Sequence, residues 1–219
     1  MSKTSLYIKS FSLFIILNVY FNSLYAQQTA TDNSKIGFSA GALSYTGRFS
    51  VGTSIMSHTS WNVSAFYVPS LNLGNKFDIK AELMAGQIKG DNTSVQNPSA
   101  QGSFTTNIVE LAVKGEYSFV DIEMHKISPY INAGPGFYTL LNYKNTYGVK
   151  SSGNKMGFVL PAGLGVKVNA GDQLLVFVDG SIRLFNKNID NIISENNPNK
   201  YMTVNVGISY NLKKRNILW

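Results

Sequence analysis

Apolar and polar residues alternate along most of the chain, a pattern that indicates β-strands. In residues 103–120 one parity carries apolar side chains, and the other carries mostly charged or small polar ones. A helix would scatter these positions around its circumference, whereas a strand places each set on one face. The two-residue period predicts an all-β chain with eight strands, at roughly 36–45, 60–71, 77–89, 103–120, 129–141, 157–169, 174–185 and 201–213.

Two predicted strands contain a proline where the sheet needs a backbone N–H. Pro135 lies in the strand at 129–141, and Pro161 lies in the strand at 157–169. Proline cannot donate a ladder hydrogen bond, and within sheets it occurs mainly at edges and bulges. We therefore expect a β-bulge at each proline.

The connections between these strands alternate strictly in length. The long ones have 13–15 residues and lie at 46–59, 90–102, 142–156 and 186–200. The short ones have 4–8 residues and lie at 72–76, 121–128 and 170–173. Tight periplasmic turns and long external loops are typical of a transmembrane β-barrel, whose strands need about 9–11 residues to cross. We predict an eight-stranded antiparallel up-and-down transmembrane β-barrel, with both termini in the periplasm.

Aromatic residues lie near both ends of the predicted strands, as lipid interfaces select. At the short-connection end the apolar face carries Tyr67, Phe77, Tyr117, Phe119 and Tyr210. At the long-connection end we assign to that face Tyr45, Trp61, Phe137 and Phe158. The residues on the opposite parity at this end are Phe104, Phe185 and Tyr201. The pattern predicts two girdles, with the external one weaker.

The main alternative is a soluble periplasmic barrel of lipocalin type, whose apolar face points inward. The water-facing surface of such a protein carries about 25–35% charged residues. Here only 14% of all residues are charged, while the mean hydropathy is −0.03. The polar parity is largely Ser, Thr, Asn and Gly, which favours a narrow interior over a water-facing surface.

The first 26 residues form a predicted secretory signal peptide. Lys3 and Lys9 precede an apolar run at 11–21, and a small residue, Ala26, stands at the expected cleavage site. The run is about half the ~20 residues that a spanning helix needs. We expect a short N-terminal periplasmic segment at 27–35, then the barrel at 36–213 and a C-terminal tail at 214–219.

The charge of +7 does not indicate nucleic-acid binding. Removal of the signal peptide takes away two lysines and no acidic residue, which lowers the net charge to +5. Three of the remaining positive charges are Lys213, Lys214 and Arg215, so no basic stripe is left elsewhere. The absence of cysteine excludes disulfides, a thiol nucleophile and an acylated-cysteine anchor.

Charged residues on the inward parity are the candidate functional residues. Four of each sign occur there, and they are Lys80, Glu82, Glu110, Lys114, Glu116, Lys167, Asp179 and Arg183. The interior of an eight-stranded barrel is just wide enough for side chains, and buried charges persist when they are paired. We predict a structural, salt-bridged plug; the functional alternative is an ion path or an acid/base pair.

Catalytic and metal chemistry find little support. Two histidines without cysteine cannot build a typical zinc site, and we predict no cofactor. Acyl transfer needs a histidine with a serine, and the one candidate dyad is His58 with Ser60. Acidic and amide residues in two long loops could offer oxygen ligands to Ca²⁺, but their spacing does not fit an EF-hand.

Several motifs resemble the porin-family outer-membrane β-barrel domain. They are Phe104-x-x-Asn107-Ile108-x-Glu110-Leu111-x-x-x-Gly115-Glu116-Tyr117-Ser118-Phe119, Ile127-Ser128-Pro129-Tyr130-Ile131-x-Ala133-Gly134-x-Gly136-Phe137 and Gly163-Leu164-Gly165-Val166-Lys167. The resemblance spans roughly residues 35–213 and implies an eight-stranded barrel of the small outer-membrane protein A/X type, in many members without an assigned activity. It also implies an assembly signal at the last strand, where Tyr210 and Leu212 are the candidates.

We therefore expect a non-enzymatic, integral outer-membrane barrel of a Gram-negative cell envelope, acting structurally or through its external loops. The expected partners are outer-membrane lipid, the barrel assembly machinery during insertion, and a ligand or protein at the loops. The alternatives are a small pore, an outer-membrane lipid-modifying enzyme and the lipocalin-like binder.

Overall fold

The chain forms long antiparallel strands in this computed structural model. The structure describes residues 34–46, 59–71, 73–74, 76–91, 103–122, 124–145, 156–185 and 200–212. The strands within these ranges are β1 (Lys35–Thr46), β2 (Thr59–Val68), β3 (Phe77–Asp91), β4 (Ser103–Ser118), β5 (Ile127–Ala133), β6 (Gly136–Asn145), β7 (Met156–Asn169), β8 (Leu174–Phe185) and β9 (Lys200–Asn211). Seven of the eight predicted strands correspond to one observed strand each. The strand predicted at 129–141 corresponds to β5 and β6 together.

Antiparallel pairing closes the strands into a ring. The order around it is β3, β2, β1, β9, β8, β7, then β5 with β6, then β4, which pairs back with β3. Both β5 and β6 lie between β4 and β7, so together they act as one wall strand. The ring therefore has eight members, and closure pairs the edges that lipid could not solvate. The predicted eight-stranded antiparallel barrel is confirmed.

The expectation of a bulge at each proline is wrong. On the β4 side, Ala133 pairs with Gly115 and Gly136 pairs with Ala112, so the register continues across Pro135 without a shift. The β7–β8 register likewise continues through Pro161, which pairs with Arg183. Each proline removes one ladder donor but still accepts a hydrogen bond through its carbonyl. The wall strand is interrupted between β5 and β6 but keeps its register.

The two ends of the barrel differ in their connections. At one end, called here the short-turn end, β2 leads to β3, β4 to β5, and β7 to β8 across 4–8 residues. At the other, called here the long-loop end, the connecting segments are 47–58, 92–102, 146–155 and 186–199, all of them outside the described residues. The strict alternation in length that the sequence predicts is present.

The wall presents apolar side chains outward and polar side chains inward. In β4 the burial alternates residue by residue, with Leu111 56% exposed and its neighbour Glu110 1% exposed. The same holds in β9, where Val204 and Val206 are exposed while Thr203 and Asn205 are buried. A lipocalin requires the reverse orientation, so that alternative is excluded. No helix in the described ranges is long and apolar enough to cross a membrane.

The outward aromatic residues form two groups, one near each end, as the sequence predicts. Exposed rings at the short-turn end are Tyr67, Phe77, Tyr117, Phe119 and Tyr210. Those at the long-loop end are Trp61, Phe137 and Phe158. The assignment of Tyr45 to the outer face is wrong, because its side chain is only 1% exposed and packs inside the barrel against Phe104. The long-loop girdle is thus smaller by one ring.

Candidate functional site in the barrel interior

The eight charged residues predicted to face inward all lie buried in the barrel interior. They come from β3, β4, β7 and β8, on positions that alternate with exposed apolar residues. A charged side chain of this kind is held in the interior because its strand neighbours must face lipid. The residues are Lys80, Glu82, Glu110, Lys114, Glu116, Lys167, Asp179 and Arg183.

Ion pairs among β3, β4 and β7 form the first part of a network. Lys114 Nζ on β4 donates to both carboxylate oxygens of Glu82 on β3, each at 2.8 Å. Lys80 Nζ lies 3.2 Å from Glu116 and 3.9 Å from Glu82. Glu116 also pairs with Lys167, which reaches it from β7. Glu82 and Glu116 therefore each have at least two cationic neighbours, and paired charges of this kind are tolerated in a buried site.

Arg183 on β8 connects opposite walls of the barrel. Its Nε donates to Glu110 at 3.0 Å and its Nη2 donates to Glu82 at 3.2 Å. Three wall strands separate β8 from β3 in either direction around the ring, so the bond to Glu82 crosses the full interior. The Nη1 atom donates to Ser181 and Thr203, so these bonds use four of the five N–H donors of the guanidinium.

Asp179 is held mainly by neutral donors. Its Oδ2 accepts from Tyr130 at 3.2 Å and from Asn132 at 2.9 Å, both on β5. This arrangement is the charge-assisted hydrogen bonding that stabilises a buried carboxylate. Asp179 therefore lies beside the ion-pair network and links β8 to β5.

Three further residues extend the network and were not among the predicted site residues. Lys35 on β1 pairs with Asp78 at 3.0 Å, and Lys167 approaches Asp78 at 3.6 Å at the short-turn end. At the other end of the network the hydroxyl of Tyr201 donates to Glu110. Asp78 has the same parity as Lys80 and could have been found from it, whereas Lys35 lies just before the predicted first strand.

An apolar cluster lies in the interior on the long-loop side of this network. The polar parity described from the sequence did not predict it. Edge-to-face ring contacts occur between Tyr45 and Phe104, with centroids 5.2 Å apart, and between Tyr138 and Phe185, at 4.6 Å. The cluster comprises Leu43, Tyr45, Met84, Ile88, Phe104, Ile108, Tyr138, Leu140, Val159, Phe185 and Tyr201. Tyr201 belongs to both regions, since its ring packs here and its hydroxyl reaches Glu110.

The interior chemistry is ionic pairing. Within the described residues no group of His, Cys, Asp or Glu is arranged to hold a metal ion. Of the candidate dyad, Ser60 bonds to Gln87 at 3.3 Å, and His58 lies outside the described residues. The loop residues considered for Ca²⁺ lie mainly in 92–102 and 186–199, also outside the described ranges.

Comparison with solved structures identifies the class of protein. Neisserial surface protein A is similar with a TM-score of 0.58 and 11% identity, over 84% of this chain and all of that one. OprG from Pseudomonas aeruginosa has a TM-score of 0.49 and 10% identity, over 84% of this chain and 99% of that one. The outer membrane enzyme PagL has a TM-score of 0.44 and 15% identity, over 81% of this chain and 99% of that one. At such identities the first of these shows the fold alone: this is a barrel domain of the outer-membrane type.

The chain also belongs to a sequence family. Residues 10–214 match the family described as domain of unknown function DUF6089, which covers nearly the whole chain. No curated protein matches the chain significantly. The description of the family assigns no activity, so the match places the chain in a family without giving it a role.

Proposed function

We propose that this protein is an integral outer-membrane barrel with a closed interior, which acts structurally or through contacts of its long loops. The observation that carries the proposal is the bond from Arg183 across the interior to Glu82, together with the apolar cluster beside it. Cations and carboxylates neutralise each other there, and the side chains occupy the space that a water-filled path needs.

Planar-bilayer recording tests the closed interior. Purified protein refolded into lipid is expected to produce no discrete conductance, because paired charges and an apolar cluster lie in series along the axis. Discrete channels at the level of a water-filled pore would overturn the proposal in favour of the pore. Folding is verified in the same sample by heat-modifiable gel mobility, so that silence from unfolded protein is not counted as support.

We propose further that the short-turn end faces the periplasm and the long loops face outward. The outward rings near both ends support a membrane-spanning orientation, and the alternation of connections assigns the ends. The barrel then meets outer-membrane lipid along its wall, the assembly machinery during insertion, and a ligand or protein at the loops. An epitope inserted in segment 186–199 is expected to be accessible on intact cells, and one inserted at Gly171 is expected to be hidden. The reverse result contradicts this orientation.

Export by the N-terminal segment is part of the same proposal. Membrane fractionation is expected to place the protein in the outer membrane, and N-terminal sequencing of that protein is expected to begin at Gln27. If the protein from the membrane fraction still begins at Met1, the signal peptide is not cleaved and this part of the proposal is wrong.

We also propose that the protein is not an enzyme. The hydroxyl of Ser60 donates a hydrogen bond to the side-chain oxygen of Gln87 near the long-loop end. A neutral amide oxygen is not a base that activates a hydroxyl as a nucleophile. Expression of the wild type is expected to leave the acyl pattern of lipid A unchanged. A changed pattern that disappears in His58→Ala or Ser60→Ala would establish lipid-modifying activity instead.

A further inference from the structure

Three aromatic rings inside the barrel lie against glycines of neighbouring strands. At each of these glycines a Cβ atom would lie 2.2–2.6 Å from a ring atom and 2.5–2.6 Å from a backbone carbonyl oxygen, so the position requires glycine. Such contacts place a large ring directly against the wall of a narrow barrel. The pairs are Phe66 on Gly37, Phe177 on Gly207, and Tyr130 on Gly165.

All three rings lie near the ammonium group of Lys80, and Tyr130 also faces Lys167, whose Nζ is 5.0 Å from its centroid. Lys80 Nζ lies 5.1 Å from the ring centroid of Phe66 and 5.9 Å from those of Tyr130 and Phe177. These distances lie within the ~6 Å range of cation–π attraction, and several rings around one cation are the arrangement that recognises quaternary ammonium groups. Glu116 at 3.2 Å adds a carboxylate to the same site. The site has the composition of a cation-binding cage.

The cage lies within the part of the ion-pair network that is nearest the short-turn end. Phe66 and Phe177 contact each other edge to face, with centroids 5.6 Å apart. Beside them a space of only about 20 Å³ remains, bounded by the cage, Lys35 and Lys167. Such a space holds about one water molecule. The rings and the ammonium therefore close the passage between the short-turn end and the middle of the barrel.

We propose that Phe66, Tyr130 and Phe177 form an internal cation-binding site, that Lys80 is its built-in ligand, and that the occupied site seals the short-turn end of the barrel. The proposal rests on the closed interior proposed above and adds where the closure lies and what chemistry makes it. The seal requires a cation of suitable size at the centre of the cage, whether or not that cation can donate hydrogen bonds.

The absence of cysteine from the chain provides a clean reporter background. Ser64 is buried, faces inward and lies on β2 two residues beyond Phe66 toward the long-loop end. A Ser64→Cys variant places one thiol behind the cage. Its rate of reaction with iodoacetamide, a small neutral reagent, reports whether solvent passes the cage. With Lys80 in place the thiol is expected to react slowly.

Removal of the built-in ligand is the decisive change. Lys80→Ala in the reporter background is expected to raise the reaction rate roughly tenfold or more, since several cation–π contacts are lost together. Tetramethylammonium, which fits an aromatic cage but donates no hydrogen bond, is expected to slow the reaction again. The matched control is Lys114→Ala, a buried lysine paired in register with Lys80 and held by Glu82. Tetramethylammonium should not protect the thiol in that variant.

The outcomes separate this inference from the proposed function. If the thiol reacts rapidly with Lys80 present, the interior is open and both proposals fail. If it reacts slowly there and equally slowly in Lys80→Ala, the closure lies elsewhere and only the cage is wrong. Equal protection of both lysine variants by tetramethylammonium would also overturn the cage, because a site without rings would then suffice.

A measurement on the unaltered side chain covers the case in which Lys80→Ala does not fold. The three rings should shift the ε-methylene proton resonances of Lys80 upfield in a micelle sample, and Phe177→Leu should reduce that shift. Lys80→Arg identifies the resonance by its loss. An unshifted Lys80 signal in the folded wild type would contradict the cage directly.

Discussion

The barrel interior contains two regions whose side chains are held in place by different kinds of interaction. In the charged region, which includes Lys80, Glu82 and Arg183, ion pairs join neighbouring strands and also strands on opposite sides of the ring. In the apolar cluster, which includes Phe104 and Ile108, side chains pack without fixed partners. Loss of one member should therefore act differently in the two regions. Loss of one member of an ion pair leaves the other charge uncompensated in the interior. Loss of a packed apolar side chain leaves a cavity.

The comparison indicates a division of roles. Replacement of a buried ion pair by apolar residues is often neutral or stabilising, so the charged region need not be the main source of stability. Its bonds nevertheless connect β8 to β3 and β4 across the interior, which only the closed ring brings together. We infer that the apolar cluster contributes stability through burial, while the charged region favours one closed arrangement of the strands.

Arg183→Ala should give the largest effect. It leaves Glu82 and Glu110 short of a cation inside the barrel, and breaking a buried ion pair in this way costs about 3–5 kcal/mol. The measurement is the free energy of unfolding by urea in lipid vesicles. The double variant Arg183→Met with Glu110→Gln removes a cation and a carboxylate together and should cost clearly less. Equal losses in both variants would mean that the charged region behaves like ordinary packing.

A charge on the outer face of the same strand tests whether tolerance of charge depends on facing inward. Leu111 is 56% exposed on the lipid-facing side of β4, next to the buried Glu110. Leu111→Arg should lower the free energy of unfolding by about 2–4 kcal/mol at the membrane midplane and less near an interface. Leu111→Met is the control and should be nearly neutral. If Leu111→Arg leaves the free energy of unfolding unchanged, the outer and inner faces of the strand do not differ in their tolerance of charge.

The sequence predicts the wall better than it predicts the interior. Strict alternation assigns Glu110 inward and Leu111 outward, because a slip of one residue would exchange the two faces. It cannot assign partners across the barrel: Arg183 meets Glu82, 101 residues away, only because the ring order places β8 opposite β3. The closed ring itself followed from the lengths of the connections.

The sequence does not predict the apolar cluster, for a related reason. Met84, Ile88 and Ile108 lie on the inward parity, where we expected polar and charged residues. An inward apolar side chain can stand alone in a mostly polar interior or pack against other apolar side chains. Only its neighbours across the barrel decide between the two, and the sequence does not give them. Tyr45 was assigned outward although it shares its parity with Leu43, which is buried. Both errors concern the long-loop half of the interior.

A conservative change tests whether the apolar cluster is closely packed. Ile108 is fully buried, so Ile108→Val removes one methylene and should cost about 0.5–1.5 kcal/mol. Ile131→Val on β5 is the matched control, since Ile131 is 48% exposed toward lipid and should lose less. Urea unfolding in the same vesicles measures both. If Ile108→Val is neutral, the cluster is loosely packed and cannot supply the stability assigned to it.

The smallest effect is expected where the charged region meets solvent. Lys35 and Asp78 are 3.0 Å apart, but their side chains are 17% and 27% exposed at the short-turn end. Partly exposed ion pairs contribute about 0–1 kcal/mol and weaken with salt. Asp78 also keeps Lys167 at 3.6 Å when Lys35 is removed. Lys35→Ala should therefore lower the free energy of unfolding by less than about 1 kcal/mol, and the loss should shrink at high salt. A loss as large as that of Arg183→Ala, unchanged by salt, would show that the ion pairs at the mouth are as decisive as those that cross the interior, and the distinction between a buried charged region and its exposed margin would fail.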